Sequence, residues 1–217
     1  MSRRALFSFP LSAAVLSAAL LLAGPAAQAQ VLGQTDVNTS KKSGNDSECA
    51  IAKNPTNKME LFASCNTAVA GLFAARSNDL GVTWTYPDPS DKTIADGNPG
   101  QGPAACCDPT LAWDEFGNLF LTYIDSGPTS IVTLLSTDSG LTFTTLASFG
   151  PIANVDQPTV VANAGAVWIV WNQGNQMVAR GAAVTGLGTV GAFNPMQTIP
   201  GTTNCSFGDV AIAPSGA

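Results

Sequence analysis

The octet Ser77-Asn78-Asp79-Leu80-Gly81-Val82-Thr83-Trp84 returns 59 residues later as Ser136-Thr137-Asp138-Ser139-Gly140-Leu141-Thr142-Phe143. An internal repeat limits the possible folds more than local propensity does, because each copy must form the same supersecondary unit. Four fixed residue types at fixed offsets arise by chance at on the order of one start in 10⁴ to 10⁵. The octet reads as a turn: the aspartate accepts backbone N–H groups, the glycine takes positive φ, and the threonine and aromatic begin a strand.

Strand signals surround the octets. Asp108-Pro109-Thr110-Leu111-Ala112-Trp113 and Leu119 to Tyr123 flank a Gly/Asn turn, and Ile131 to Ser136 leads into the second octet. Asp108 to Leu146 thus predicts one four-stranded antiparallel sheet. Upstream, Cys49 to Lys53 and Met59 to Ser64 form an equivalent pair. Downstream, Gln157-Pro158-Thr159 matches Asp108-Pro109-Thr110 at an offset of 49, Ala166 to Trp171 follows, and Gly208 to Ala213 starts the unit again. The chain is expected to be all-β.

The repeated octet resembles the Asp box, or bacterial neuraminidase repeat, of sialidase-like β-propellers. The segment Asn45 to Pro55 is similar to the start of the first blade in secreted members of that group. The resemblance implies a β-propeller of four-stranded antiparallel blades at about 45–93, 106–150 and 154–200, with the start of a fourth at 204–217. Propellers close with four to eight blades, so three blades plus one strand imply an N-terminal fragment. In the octets the resemblance assigns Ser77, Asp79, Gly81, Thr83 and Trp84, and Ser136, Asp138, Gly140, Thr142 and Phe143, to structural turns.

Residues 1–29 read as a secretory signal peptide: Arg3 and Arg4, an uncharged apolar run from Ala5 to Ala23, then Ala27-Gln28-Ala29. The alternative is a single membrane anchor. Residues 30–44 are either a linker or a strand that closes the ring. Beyond residue 29 the chain holds seven of its nine basic residues against 15 acidic ones. That balance argues against nucleic acid and anionic membranes as partners, and no membrane span is expected after signal cleavage.

The chain has no histidine, which excludes Ser-His-Asp and Cys-His catalysis and every histidine metal site. Sialidase chemistry, as the resemblance implies it, needs three arginines, a Tyr nucleophile with a Glu partner, and an acidic acid/base. Beyond residue 29 there are two arginines, Arg76 and Arg180, so no catalytic residue carries over. In a propeller the first strand of each blade is innermost and its start faces the channel mouth. Glu48, Asp108, Asp156 and Gln157 sit there, as a ligand rim, a Ca²⁺ site or a set of interblade turn anchors. No other cofactor is implied.

Cys49 and Cys65 lie about equally far from one turn, which predicts a cross-strand disulfide. Cys106, Cys107 and Cys205 leave an odd thiol, with a vicinal bridge, a partner outside this sequence or a soft metal as alternatives. Trp113, Trp168 and Trp171 read as packing between blades or as a sugar platform. The expected function is recognition of an extracellular glycan or protein. The alternatives are part of an exo-sialidase-like glycoside hydrolase with its catalytic residues beyond this chain, and a structural surface module.

Overall fold

The computed structural model describes residues 36–213; the expected signal peptide and residues 30–35 lie outside them. Strands β1 (Ser47–Lys53), β2 (Leu61–Asn66), β3 (Leu72–Ser77) and β4 (Thr93–Ile94) form the first antiparallel sheet, in that order. The second is β5 (Ala105–Trp113), β6 (Leu119–Asp125), β7 (Ile131–Ser136) and β8 (Thr144–Phe149). The third is β9 (Val155–Asn163), β10 (Ala166–Gln173) and β11 (Gln176–Gly186), with β12 (Thr189–Val190) and β13 (Gln197–Thr198) both on the outer edge of β11. The first strands lie side by side, β1 against β5 and β5 against β9, as the inner strands of propeller blades do.

Two apolar layers join the sheets. Strand β6 is buried on both faces, which is why it reads as an almost unbroken apolar run. By strand alternation, Leu119, Leu121 and Tyr123 face the first sheet with Phe62, Leu72 and Trp113, while Phe120 and Ile124 face the third with Val160, Ile169 and Trp171. Both hydroxyls in that run are satisfied: Thr122 Oγ1 lies 2.9 Å from Thr133 Oγ1, and Tyr123 OH donates to the Pro103 carbonyl (2.7 Å).

Both octets fold as the same turn. Ser136 Oγ donates to Asp138 Oδ1 (2.8 Å) and accepts Gly140 N–H (2.8 Å); Asp138 accepts Thr142 N–H (2.9 Å) and Thr142 Oγ1–H (2.6 Å). Ser77, Asp79, Gly81 and Thr83 repeat the pattern at 2.7, 2.8, 2.8 and 2.6 Å. These bonds hold both Asp79 and Asp138 below the ordinary carboxylate pKa, with Thr83 the largest contribution at Asp79; at Asp138 they outweigh the opposing effect of burial. Gly81 and Gly140 take φ 87° and 83°.

The turns also stitch neighbouring sheets together. Ser139 Oγ donates to Glu60 Oε2 (2.8 Å), Gly165 N–H to Glu115 Oε1 (2.6 Å) and Gly188 N–H to Asn118 Oδ1 (2.7 Å). Each joins a turn of one sheet to the β1–β2 or β5–β6 turn of the sheet before it.

Two expectations change in detail. The strand after Trp84 does not form: Thr85 makes one bridge to Arg76, and the edge strand arrives only at Thr93–Ile94. Pro87 and Pro89 intervene, and proline has no N–H for a ladder. Among the described residues, 208–213 make no ladder either. Residues 36–44 form no strand; the carbonyls of Thr39 and Ser40 accept Tyr86 OH (2.9 Å) and Lys92 Nζ (2.7 Å).

Candidate functional site

The three inner strands carry the same irregularity at the same place. The register jumps at Glu48-Cys49 in β1, Asp108-Pro109 in β5 and Gln157-Pro158 in β9. A bulge leaves the inserted residues unpaired and re-aims a side chain, and proline, with no N–H to pair, fits there. Glu48, Asp108 and Gln157 are all left-handed, with φ of 50°, 57° and 47°. Such a conformation is uncommon outside glycine, so its threefold recurrence is a property of the fold.

These residues line one cavity of about 180 Å³ with Pro109, Pro158 and Thr159. It falls below the roughly 300–1,000 Å³ that enclose a drug-sized ligand. Its walls combine two carboxyls and one amide with proline surfaces, and they include no lysine or arginine. Asp156, the fourth predicted rim residue, lies outside the lining but adds its charge to the site.

Hydrogen bonds tie the rim together. Gln157 N–H donates to Asp108 Oδ2 (3.2 Å) and Asp108 N–H to Asn66 Oδ1 (3.0 Å), while Asn66 Nδ2 donates to Glu48 Oε2. Burial pushes the Asp108 carboxyl up to about 7, helped by its hydrogen bond to Glu48 and the charges of Glu48 and Asp156, against the pull of Gln157 N–H. Near neutral pH, Asp108 can therefore donate a hydrogen bond or a proton while the Glu48 carboxylate and the Gln157 amide accept.

Sequence reasoning brought Glu48, Asp108 and Gln157 to one level but missed Asn66. An asparagine at a strand end reads as a turn former, and nothing in the sequence marks it as a bridge between two blades.

The other candidates lie elsewhere. Arg76 Nη2 donates to Asn78 Oδ1 (2.8 Å), and the Arg180 guanidinium sits 4.8 Å from the Phe149 ring centroid; neither lines the cavity. Trp113 and Trp171 are buried between sheets, and Trp84 packs on its own sheet. Cys49 is bonded to Cys65 and Cys106 to Cys107, leaving Cys205 free. Among the described residues no cluster of His, Cys, Asp and Glu is arranged to hold a metal ion, and no helix is long and apolar enough to cross a membrane.

No protein-family model matches the chain, and no curated protein matches it. Among solved structures it is similar to an α-L-arabinanase from Penicillium chrysogenum complexed with arabinobiose. That likeness has 20% identity over 74% of this chain and 51% of that one, with a TM-score of 0.51. It is also similar to an exo-β-1,3-galactanase from Phanerochaete chrysosporium, at 13% identity, 71% and 36% coverage and a TM-score of 0.46. A Hadza microbial sialidase matches at 15% identity, 67% and 32% coverage and a TM-score of 0.41. The chain spans about half the length of the arabinanase and about a third of the other two. With two four-stranded antiparallel sheets, a third in which β12 and β13 share the outer edge, and side-by-side first strands, the chain has an all-β propeller fold.

Proposed function

We propose that this chain is a secreted, sialidase-like Asp-box propeller that recognises a neutral extracellular glycan, without catalysis, at its channel mouth. The observation that carries the reading is the convergence of Glu48, Asp108 and Gln157 from three blades on one small cavity. Carboxyl and amide groups accept and donate to sugar hydroxyls, and proline faces suit the C–H surface of a ring. An anionic sugar would meet two carboxyls and no cation. The arabinobiose bound to the α-L-arabinanase is a neutral oligosaccharide of suitable size to try. Two disulfides fit an oxidising compartment, as does a signal peptide at residues 1–29, and the octets serve as structural turns.

Calorimetry of the purified chain against neutral oligosaccharides, arabinobiose included, tests the proposal. Binding that weakens at least tenfold in Glu48→Gln and Asp108→Asn supports it. Binding unchanged in both variants, or confined to anionic glycans, refutes it.

One observation favours a second reading. A carboxyl whose proton is held up to about 7 meets the requirement for the general acid in glycoside hydrolysis, though its hydrogen bond to Glu48 places that group too close to be the second catalytic carboxylate. In that reading the chain forms part of a glycoside hydrolase, with Asp108 as the proton donor. Release of 4-nitrophenol from aryl arabinosides, lost in Asp108→Asn, would establish it over simple recognition.

A further inference from the structure

We infer that Asn66, one amide held between two sheets, is a positioning residue that divides the labour in this pocket, with Glu48 as hydrogen-bond acceptor and Asp108 as donor. Its use in ligand selection rests on the reading of the pocket as a glycan site; the positioning itself does not.

The geometry explains why one side chain can do both tasks. Asn66 ends β2 opposite Ser47 of β1, so its amide lies next to the bulge that carries Glu48. Glu48 is exposed, and an exposed glutamate keeps its rotamer freedom unless something holds it. The bond from Asn66 Nδ2 supplies that hold.

On the other side of the amide, the bulge at Asp108 removes its N–H from the β5–β6 ladder. A part-buried N–H needs an acceptor, and Asn66 Oδ1 provides it at 3.0 Å. The same amide thus fixes the Asp108 backbone and keeps the Glu48 carboxylate over the Asp108 carboxyl. An aspartate could accept from Asp108 N–H but would have no N–H for Glu48, so asparagine is the residue that meets both demands.

The charged groups acting on Asp108 are Glu48 from β1 and Asp156 from β9, with Gln157 N–H opposing them. Without Asn66, Glu48 turns into solvent and Asp108 loses both its hydrogen-bond acceptor and the stronger of the two charge effects. Asp156 and burial remain. The proton on Asp108 is then held less tightly.

Carbon-13 NMR titration of the aspartate carboxyls in the full chain tests this without any ligand. The Asp108 midpoint should lie near 7 in the wild type and fall by about one pH unit or more in Asn66→Ala. Glu48→Gln should lower it likewise, and adding Asn66→Ala to Glu48→Gln should lower it little further. A purely structural asparagine would change the melting temperature but would not lose its effect on Asp108 when Glu48 is absent. If Asn66→Ala does not fold, Asn66→Ser keeps a hydroxyl acceptor near Asp108 N–H, cannot reach Glu48, and should show the same fall. An unchanged midpoint in the folded Asn66 variant, or additive shifts in the double variant, overturns the assignment. A fall in the midpoint with no glycan bound by any form would sink the recognition reading and leave Asn66 as assigned.

Discussion

Replacing the octet glycines separates two costs that the shared motif hides. Gly81 and Gly140 occupy equivalent positions at φ 87° and 83°, so an alanine at either gives up glycine's conformational freedom, about 1–2 kcal/mol. Their surroundings differ. A Cβ on Gly81 would meet its nearest neighbours, Leu61 and Trp84, at 3.5 Å, an ordinary contact. A Cβ on Gly140 would lie 2.4 Å from two ring carbons of Phe62. Phe62 is fully buried and packs edge-on against Phe143, with centroids 5.4 Å apart, so it cannot turn aside without opening the layer between the first two sheets. Overpacking of that kind adds about 1–3 kcal/mol. Gly81→Ala should therefore destabilise by about 1–2 kcal/mol and Gly140→Ala by about 2–5 kcal/mol. Urea unfolding with unchanged m-values reads both. Equal losses, or a larger loss at Gly81, would show that Phe62 does not close on the second octet as described.

Four further outcomes are expected. Asp138→Ala should cost about 1–3 kcal/mol by leaving its turn N–H groups unpaired, with glycan affinity unchanged; lost affinity at constant stability would make the octet a binding element. Asp108 holds its proton more tightly folded than unfolded, so its contribution to stability is complete below about pH 4 and lost as pH rises towards 7; solvent screening at this half-buried position limits the change to about 1–2 kcal/mol, and Asp108→Asn should flatten that slope in thermal melts from pH 4 to 8. Non-reducing peptide mapping should recover Cys49 linked to Cys65 and Cys106 to Cys107, with Cys205 the one alkylated thiol; any other pairing refutes the register of β1 on β2 or the bridge beside Asp108. Fluorogenic α-sialosides should not be turned over, since Arg76 and Arg180 stand apart from the cavity; turnover lost in Arg180→Ala would refute this.

The β fold was legible because repeats and alternation survive in the residue order. Leu119 to Tyr123 reads as a buried strand, and the two octets announce equal turns. The short edge strand of the first sheet was less legible, since Trp84 suggested a strand that Pro87 and Pro89 then prevent. The rim was half legible: the Asp-Pro and Gln-Pro pairs matched by offset, whereas Glu48-Cys49 aligned only through the strand that follows. Asn66 left no signal because its partners are 18 and 42 residues away, and the contacts exist only once β1 pairs with β2 and the second sheet packs beside the first.

The bonds between turns make the repeats addressed rather than interchangeable. Ser139 seeks a glutamate at 60, Gly165 a glutamate at 115 and Gly188 an asparagine at 118. A sheet moved to another place in the order would present its turn to the wrong partner and leave a carboxylate or an amide unmatched. Blade shuffling, which repeat proteins often tolerate, should fail here unless the receiving turn is exchanged with it.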